Sequence, residues 1–240
     1  VHAFVFGKFL PFHRGHEAMI RFALTQCDRL TILVCCSDQE YIDGIIRKGW
    51  IDETFSDHQN LDVQIFQYSE DNLPNTSVSS RDVSRLWSQQ FKQIVPMCSL
   101  LISSEPYGDF VAEYMSIRHI AFDIPRHFVP ISATSIRGNI FQNWNFLPDS
   151  VKKYLAVRVV ILGTESTGKS TLAQLLTNHF HGTLVSEAGR EIVNNSQSFQ
   201  RSDLDKIAIQ HTRQIEQAII SNSPVIIVDT DIHITKSYCQ

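Results

Sequence analysis

Residues 157–180, VRVVILGTESTGKSTLAQLLTNHF, join an apolar run to an amphipathic one through a loop bounded by two glycines. A strand buried on both faces reads as a continuous apolar run, whereas a helix places apolar residues three and four apart. Strand, glycine loop and helix in that order fit a parallel sheet, because parallel strands need a crossover connection. The residues upstream repeat the theme. The apolar segments HAFVFG, RLTILVCC, VQIFQY, CSLLISS and HIAFDI, with a short one near Phe128, read as strands. Helical patterns over 16–26, 44–55, 79–95, 108–116 and 134–143 lie between them, and NWNFLPDSVKKYLAV makes a short helix after Pro148. The alternation restarts at Val157, continues with a strand around 183–187 and a helix around 203–221, and reaches the strand VIIVD. The expected fold class is α/β with a parallel sheet, divided into domains at 1–154 and 155–240.

A chain of 240 residues has room for two modest domains, and 43% apolar residues supply a core. A net charge of −4 gives no footprint for nucleic acid or a membrane surface, and no apolar run is long enough for a membrane-spanning helix. Cys27, Cys35, Cys36, Cys98 and Cys239 are odd in number and lack CxxC spacing. Free buried thiols in a reducing, cytoplasmic setting are expected rather than a disulfide or zinc framework. The chain starts on Val inside a strand, without Met, so we expect residues upstream to have been removed.

GTESTGKST, residues 163–171, matches GxxxxGK[ST] in full and in the required strand–loop–helix setting. Gly163 and Gly168 let backbone N–H groups curl around phosphate oxygens, and the helix start adds donors and a positive dipole end. Lys169 would bridge the β- and γ-phosphates of ATP, the Ser170 hydroxyl would ligate Mg²⁺, and Thr171 completes the loop. Asp229 and Asp231 end an apolar strand, where such proteins place the carboxylate that holds Mg²⁺. Glu187 and Arg190 follow the preceding strand and either face an acceptor substrate or begin a solvated helix. A kinase with this loop needs more strands and a basic lid, so the second domain is expected to lack its C-terminal part, about one hundred residues on the usual domain size.

GKFLPFHRGH, residues 7–16, follows the first strand and places His13 and His16 on one face of a helix start. Gly15 leaves space there for a ligand. Metal ligation, packing and phosphate contact are the alternatives for such a pair. No carboxylate or third His stands nearby with ligand spacing, which weakens zinc. Neutral imidazoles at a helix N-terminus suit negative charge developing on phosphate.

This stretch resembles the nucleotidyltransferase superfamily whose signature is HxGH after the first strand, and ISATSIR, residues 131–137, matches its second signature, ISxTxxR. The resemblance implies a Rossmann-like domain in which His13, His16 and Lys8 contact the ATP phosphates. It also implies that Ser132 caps a helix from which Arg137 reaches the phosphates, and that Gly7 and Phe9 approach the nucleotide through their backbone. An HxGH domain followed at once by a P-loop α/β kinase domain looks like the bifunctional NadR-type family. That family joins nicotinamide mononucleotide (NMN) adenylyltransferase to ribosylnicotinamide kinase. The likeness runs through SIRGNIFQNWNFLPDSVKKYLAVRVVILGTESTGKST, DLDKIAI and VDTDIHITKSYC, and is weakest between about 40 and 100.

The activity it implies is phosphorylation of nicotinamide riboside to NMN, then adenylyl transfer from ATP to NMN giving NAD and pyrophosphate. The ligands it implies are ATP, NMN, nicotinamide riboside, NAD and Mg²⁺; nucleic acid and membrane are not among them, and a homo-oligomer is left open. Trp87 either offers the nicotinamide ring an aromatic face or is a core residue; Trp144 is expected to pack in the interdomain segment. Some family members carry an N-terminal helix-turn-helix, and these residues contain none. The alternatives are an adenylyltransferase for another phosphorylated acceptor and a non-catalytic nucleotide or NAD sensor.

Overall fold

The computed structural model describes residues 1–74, 80–164, 166–189 and 201–230, with the backbone alone at 201 and 202. The chain forms two compact units, one of residues 1–139 and 146–151, the other of 140–145 and 152–240.

In the first unit β1 (His2–Gly7), α1 (Arg14–Leu24), β2 (Arg29–Ser37), α2 (Gly44–Thr54) and β3 (Leu61–Tyr68) build the sheet outward in one direction. The chain then returns through α3 (Arg81–Ile94) to β4 (Leu100–Ser103), α4 (Gly108–Met115), β5 (Arg118–Ala121) and the short α5 (Ala133–Gly138), and α6 (Asp149–Leu155) follows as the chain passes to the second unit. The sheet is wholly parallel with strand order β3-β2-β1-β4-β5. Right-handed crossovers in opposite directions put helices on opposite faces. One face carries Phe4, Leu33, Cys35 and Leu101 under α3 and α4, where Phe91 meets Phe4 at 5.6 Å and Phe6 at 4.5 Å between ring centroids. By strand alternation Val5, Ile32 and Val34 point to the other face, against which α1 and α2 lie with Ile20, Ala23, Trp50 and Ile51 buried. Burying each large apolar side chain contributes roughly 1.5–3 kcal/mol, so the doubly covered β1 and β2 anchor the unit. The strand order reverses between β1 and β4. Their carboxyl ends, Gly7 and Ser103, therefore flank a crevice of the kind in which open α/β sheets bind ligands.

Two expectations about this unit are corrected. No strand forms near Phe128. The Asp123 carboxylate there accepts from the backbone N–H of His127 and Phe128, both at 2.8 Å, and so holds the segment in a turn. The helix expected over 134–143 ends at Gly138, where Gly138 and Asn139 disfavour continuation and Asn139 is extended.

In the second unit β6 (Val157–Ile161), α7 (Lys169–Phe180), β7 (Thr183–Val185), α8 (Arg201–Ile219) and β8 (Val225–Asp229) make a parallel sheet of order β6-β8-β7. The central β8 is buried throughout, with Ile226 and Val228 packed towards Val185, Ala218 and Ile219, and Val225 and Ile227 towards Ala173. Trp144, 1% exposed, belongs to this unit. Its indole N–H donates to the Ser221 carbonyl at 2.9 Å, and the Lys152 ammonium donates to the carbonyls of Ile220 and Ser221.

Candidate nucleotide sites

The segment between β1 and α1 is shaped by aromatic packing. Phe9 takes a left-handed backbone, φ 48°, which turns its ring back over Gly7 and against the edge of His16 at 4.9 Å. His13 caps α1: its Nδ1 accepts from the N–H of Gly15 at 3.1 Å and of His16 at 3.4 Å. A nitrogen accepting two N–H bonds carries no proton, so the neutral ring holds its proton on Nε2. The two imidazoles stack with centroids 3.7 Å apart. Burial, then the nearby Arg126 charge, lowers the His13 pKa to about 3. Burial, then the His13 ring and Arg126, holds His16 well below its ordinary value. Both rings are therefore neutral donors at neutral pH. The Nδ1 of His16 is buried without a hydrogen-bond partner. Gly15 lines the cavity that both rings border and has a second role. A Cβ there would lie 3.0 Å from His13 Cε1, so the close approach that needs glycine is that of the cap itself.

Gly7, Lys8, Phe9, His13, His16, Ser132 and Arg137 all line one cavity of about 280 Å³. Ser132 caps α5, its Oγ accepting from the Ser135 N–H at 3.1 Å. Arg137 donates to the Leu10 carbonyl and, at 3.2 Å, to the Thr134 hydroxyl. A second cavity of about 530 Å³ shares Gly7, Lys8 and Arg137 with the first and is lined further along by Tyr68, Ser84 and Trp87. Trp87 is a core residue that also borders this cavity. It packs with Tyr68 and Phe91, anchored by its indole N–H on the Pro74 carbonyl at 3.3 Å.

Residues that the sequence reading missed surround these. Arg47 is 1% exposed and donates to Glu40 at 2.7 Å and to the Lys8 carbonyl at 2.8 Å, while the Lys8 ammonium pairs with Glu40 at 2.9 Å. Arg126 pairs with Glu105 at 2.9 Å, and both line both cavities. One signal pointed to this pair: each lies in the loop following a parallel strand, where such sheets collect ligand-binding groups.

In the second unit Gly163, Gly168 and Lys169 form the loop and the first turn of α7, with Ser170 and Thr171 next on the helix. Gly168 has φ 87°, a conformation suited to glycine, and a Cβ on Gly163 would come 3.0 Å from Thr167 Oγ1. The Lys169 ammonium donates to the Thr164 carbonyl at 2.8 Å. Asp229 ends β8 beside the end of β6, 4% exposed, with Oδ1 buried and without a hydrogen-bond partner. Glu187 follows β7, whereas Arg190 and Asp231 lie outside the described residues. Among the described residues no cluster of three or more His, Cys, Asp or Glu has the arrangement of a metal site.

The trifunctional NAD biosynthesis/regulator proteins NadR of Salmonella typhimurium (strain LT2) and Escherichia coli (strain K12) are each 32% identical to this chain over 257 aligned positions, covering 98% of it. This chain is therefore similar to NadR proteins over almost its whole length. It spans 62% of the length of those curated relatives. An AAA domain family matches residues 158–240, the part that carries the glycine loop. Two solved NadR structures share the fold at 21% identity. One, in complex with NAD and AMP-PNP, has a TM-score of 0.61 over 99% of this chain and 71% of that one. The other, in complex with NR, has a TM-score of 0.63 over 99% and 70%.

Proposed function

We propose that the first unit transfers the adenylyl group of ATP to NMN, giving NAD and pyrophosphate, and that the second unit is a ribosylnicotinamide kinase domain that phosphorylates nicotinamide riboside. The observation that carries the first part is the gathering of His13, His16, Lys8, Ser132 and Arg137 around one cavity that opens on a second containing Trp87. The smaller cavity suits the ATP phosphates, and the larger, with its aromatic wall, suits the nicotinamide mononucleotide.

An oxygen of the NMN phosphate attacks the α-phosphorus of ATP, and the bond from that phosphorus to the α,β-bridging oxygen breaks. The electron pair leaves with pyrophosphate. The attacking phosphate is already ionised at neutral pH, so no proton has to move and no protein nucleophile is required. The protein's task is position and charge. His13 donates through Nε2 to the leaving phosphates, its ring orientation fixed by the cap bonds to Gly15 and His16. His16 stacks against it. Lys8 and Arg137 supply cations at the mouth shared by the two cavities.

For the second unit the supporting features are the loop before α7, the match to an AAA domain over 158–240, and NadR relatives named for NAD biosynthesis. The unpartnered buried Oδ1 of Asp229 fits Mg²⁺ held with the Ser170 hydroxyl. Bound there, Mg²⁺ would neutralise charge on the transferred phosphate. Lys169 would leave the Thr164 carbonyl for the β- and γ-phosphates. Buried free thiols at Cys35, Cys36 and Cys98 support a reducing compartment, the cytoplasm.

The test is incubation of the purified chain with ATP, Mg²⁺ and NMN while NAD is followed. NAD forms on this reading; its absence, or a preference for another phosphorylated acceptor, overturns it. ATP with nicotinamide riboside, followed for NMN, tests the kinase separately.

A further inference from the structure

The two cavities of the first unit meet at a junction lined by Lys8, Glu105, Arg126 and Arg137. The Arg126 backbone is left-handed, φ 55°, which is uncommon for a residue with a side chain. Asp123 sets that conformation: the Arg126 N–H donates to its carbonyl at 2.8 Å, and its carboxylate takes the next two N–H groups. The turn delivers the guanidinium to the junction. There Nη2 lies 2.9 Å from a Glu105 oxygen, with the two side chains 43% and 39% exposed. An ion pair that open to solvent is weak, so a phosphate group can displace the carboxylate. The same positive charge is felt at both histidines, where it lowers the pKa.

We propose that Arg126 is a catalytic phosphate ligand: its guanidinium leaves Glu105 and bridges the acceptor phosphate and the α-phosphate of ATP where the two cavities meet. The assignment rests on the adenylyl-transfer reading. That reaction must bring two anionic groups into bonding distance, and their repulsion grows as water is excluded. A planar guanidinium presents parallel N–H donors and spans two phosphate oxygens in a way that the point charge of Lys8 does not. The bonds made and broken are those of the transfer itself; Arg126 gives up no proton.

The experiment separates the proposal from the reading beneath it. The probe is pyrophosphate, the smallest with two linked phosphates like the acceptor and α-phosphates that Arg126 spans. It is titrated calorimetrically into the full chain carrying Lys169→Ala, so that the loop of the second unit does not contribute, with and without Arg126→Ala. We expect at least tenfold weaker binding with Arg126→Ala and a smaller loss with Arg126→Lys. In NAD formation, Arg126→Ala lowers kcat at least a hundredfold, and added guanidinium ion restores part of it. Unchanged pyrophosphate affinity in a variant that keeps the parent's circular dichroism and melting temperature overturns the proposal. So does a lost affinity with kcat unchanged. Should Arg126→Ala not fold, Arg126→Lys decides by the same two readouts. If the parent makes no NAD, the reading fails, and the pyrophosphate titration still decides whether Arg126 binds phosphate.

Discussion

The two units hold their charged groups in different ways. In the first, the charged groups at the cavity have protein partners, although His16 Nδ1 has none. His13 Nδ1 caps a helix, Lys8 pairs with Glu40, and Arg126 pairs with Glu105. In the second, the Lys169 ammonium folds back onto its own loop, and a buried oxygen of Asp229 has no hydrogen-bond partner. The sheets differ likewise. β1 and β2 are covered on both faces, whereas among the described residues β6 pairs with β8 alone and leaves Val157 54% and Val160 40% exposed. The first site is thus organised by its own scaffold before any ligand arrives. On the proposed reading, the second leaves its charges to be settled by nucleotide and metal.

The largest effect expected from that contrast is catalytic. His16→Ala removes a ring stacked on His13 and set against Phe9 and Phe12 at the start of α1, and the fold is expected to survive. Loss of one preorganised donor costs about 10²–10³ in rate, and NAD formation should fall by that factor with melting nearly unchanged. An equal drop in melting temperature would reassign the pair to packing. Lys169→Ala should weaken ATP binding by the second unit at least tenfold, measured by nucleotide titration; undiminished binding would break the comparison from the other side.

Stability should follow burial. Ile227→Ala in the centre of β8 removes a side chain that is 0% exposed and should cost about 2–5 kcal/mol in chemical denaturation. Val159→Ala on the open β6, 37% exposed, should stay within about 0.5 kcal/mol. Comparable losses at the two positions would mean that β6 is covered in solution.

What the sequence disclosed and what it hid follow one division. The strands were legible as apolar runs, and both glycine-containing loops carried their chemistry in consecutive residues. Arg47, Glu105 and Arg126 were not legible, because their meaning lies in partners far along the chain: Glu105 and Arg126 meet only once β4 and β5 lie side by side. The false strand at Phe128 has a similar origin. Its composition suits a strand, but the Asp123 side chain captures the N–H groups that a sheet would need. Gly15 lines the cavity, and the sequence did not reveal that it also makes room for the His13 ring. Gly15→Ala sharpens the point: a methyl 3.0 Å from that ring should turn the imidazole off its cap and lower kcat by about tenfold to a hundredfold, with a smaller effect on KM.

The smallest effect concerns pH. His13 is buried as the neutral ring, with its pKa at about 3 in the folded chain against an ordinary 6.5. Between those values the unfolded chain binds a proton that the folded chain does not, so stability rises with pH there. The contribution of His13 is complete above the ordinary value and is lost progressively as the pH falls towards 3. His16, lowered for the same reason, adds in the same direction. His13→Asn keeps a side-chain oxygen able to cap α1 but cannot titrate. Its denaturation midpoint should therefore fall less between pH 7 and 5 than that of the parent chain, and an identical fall would place the acid sensitivity elsewhere. Over the same range neither imidazole changes charge in the folded state. The rate of NAD formation, corrected for the folded fraction and for the second ionisation of the substrate phosphates at about pH 6, should then show no further step. A further step near pH 6.5 would mean that an imidazolium takes part.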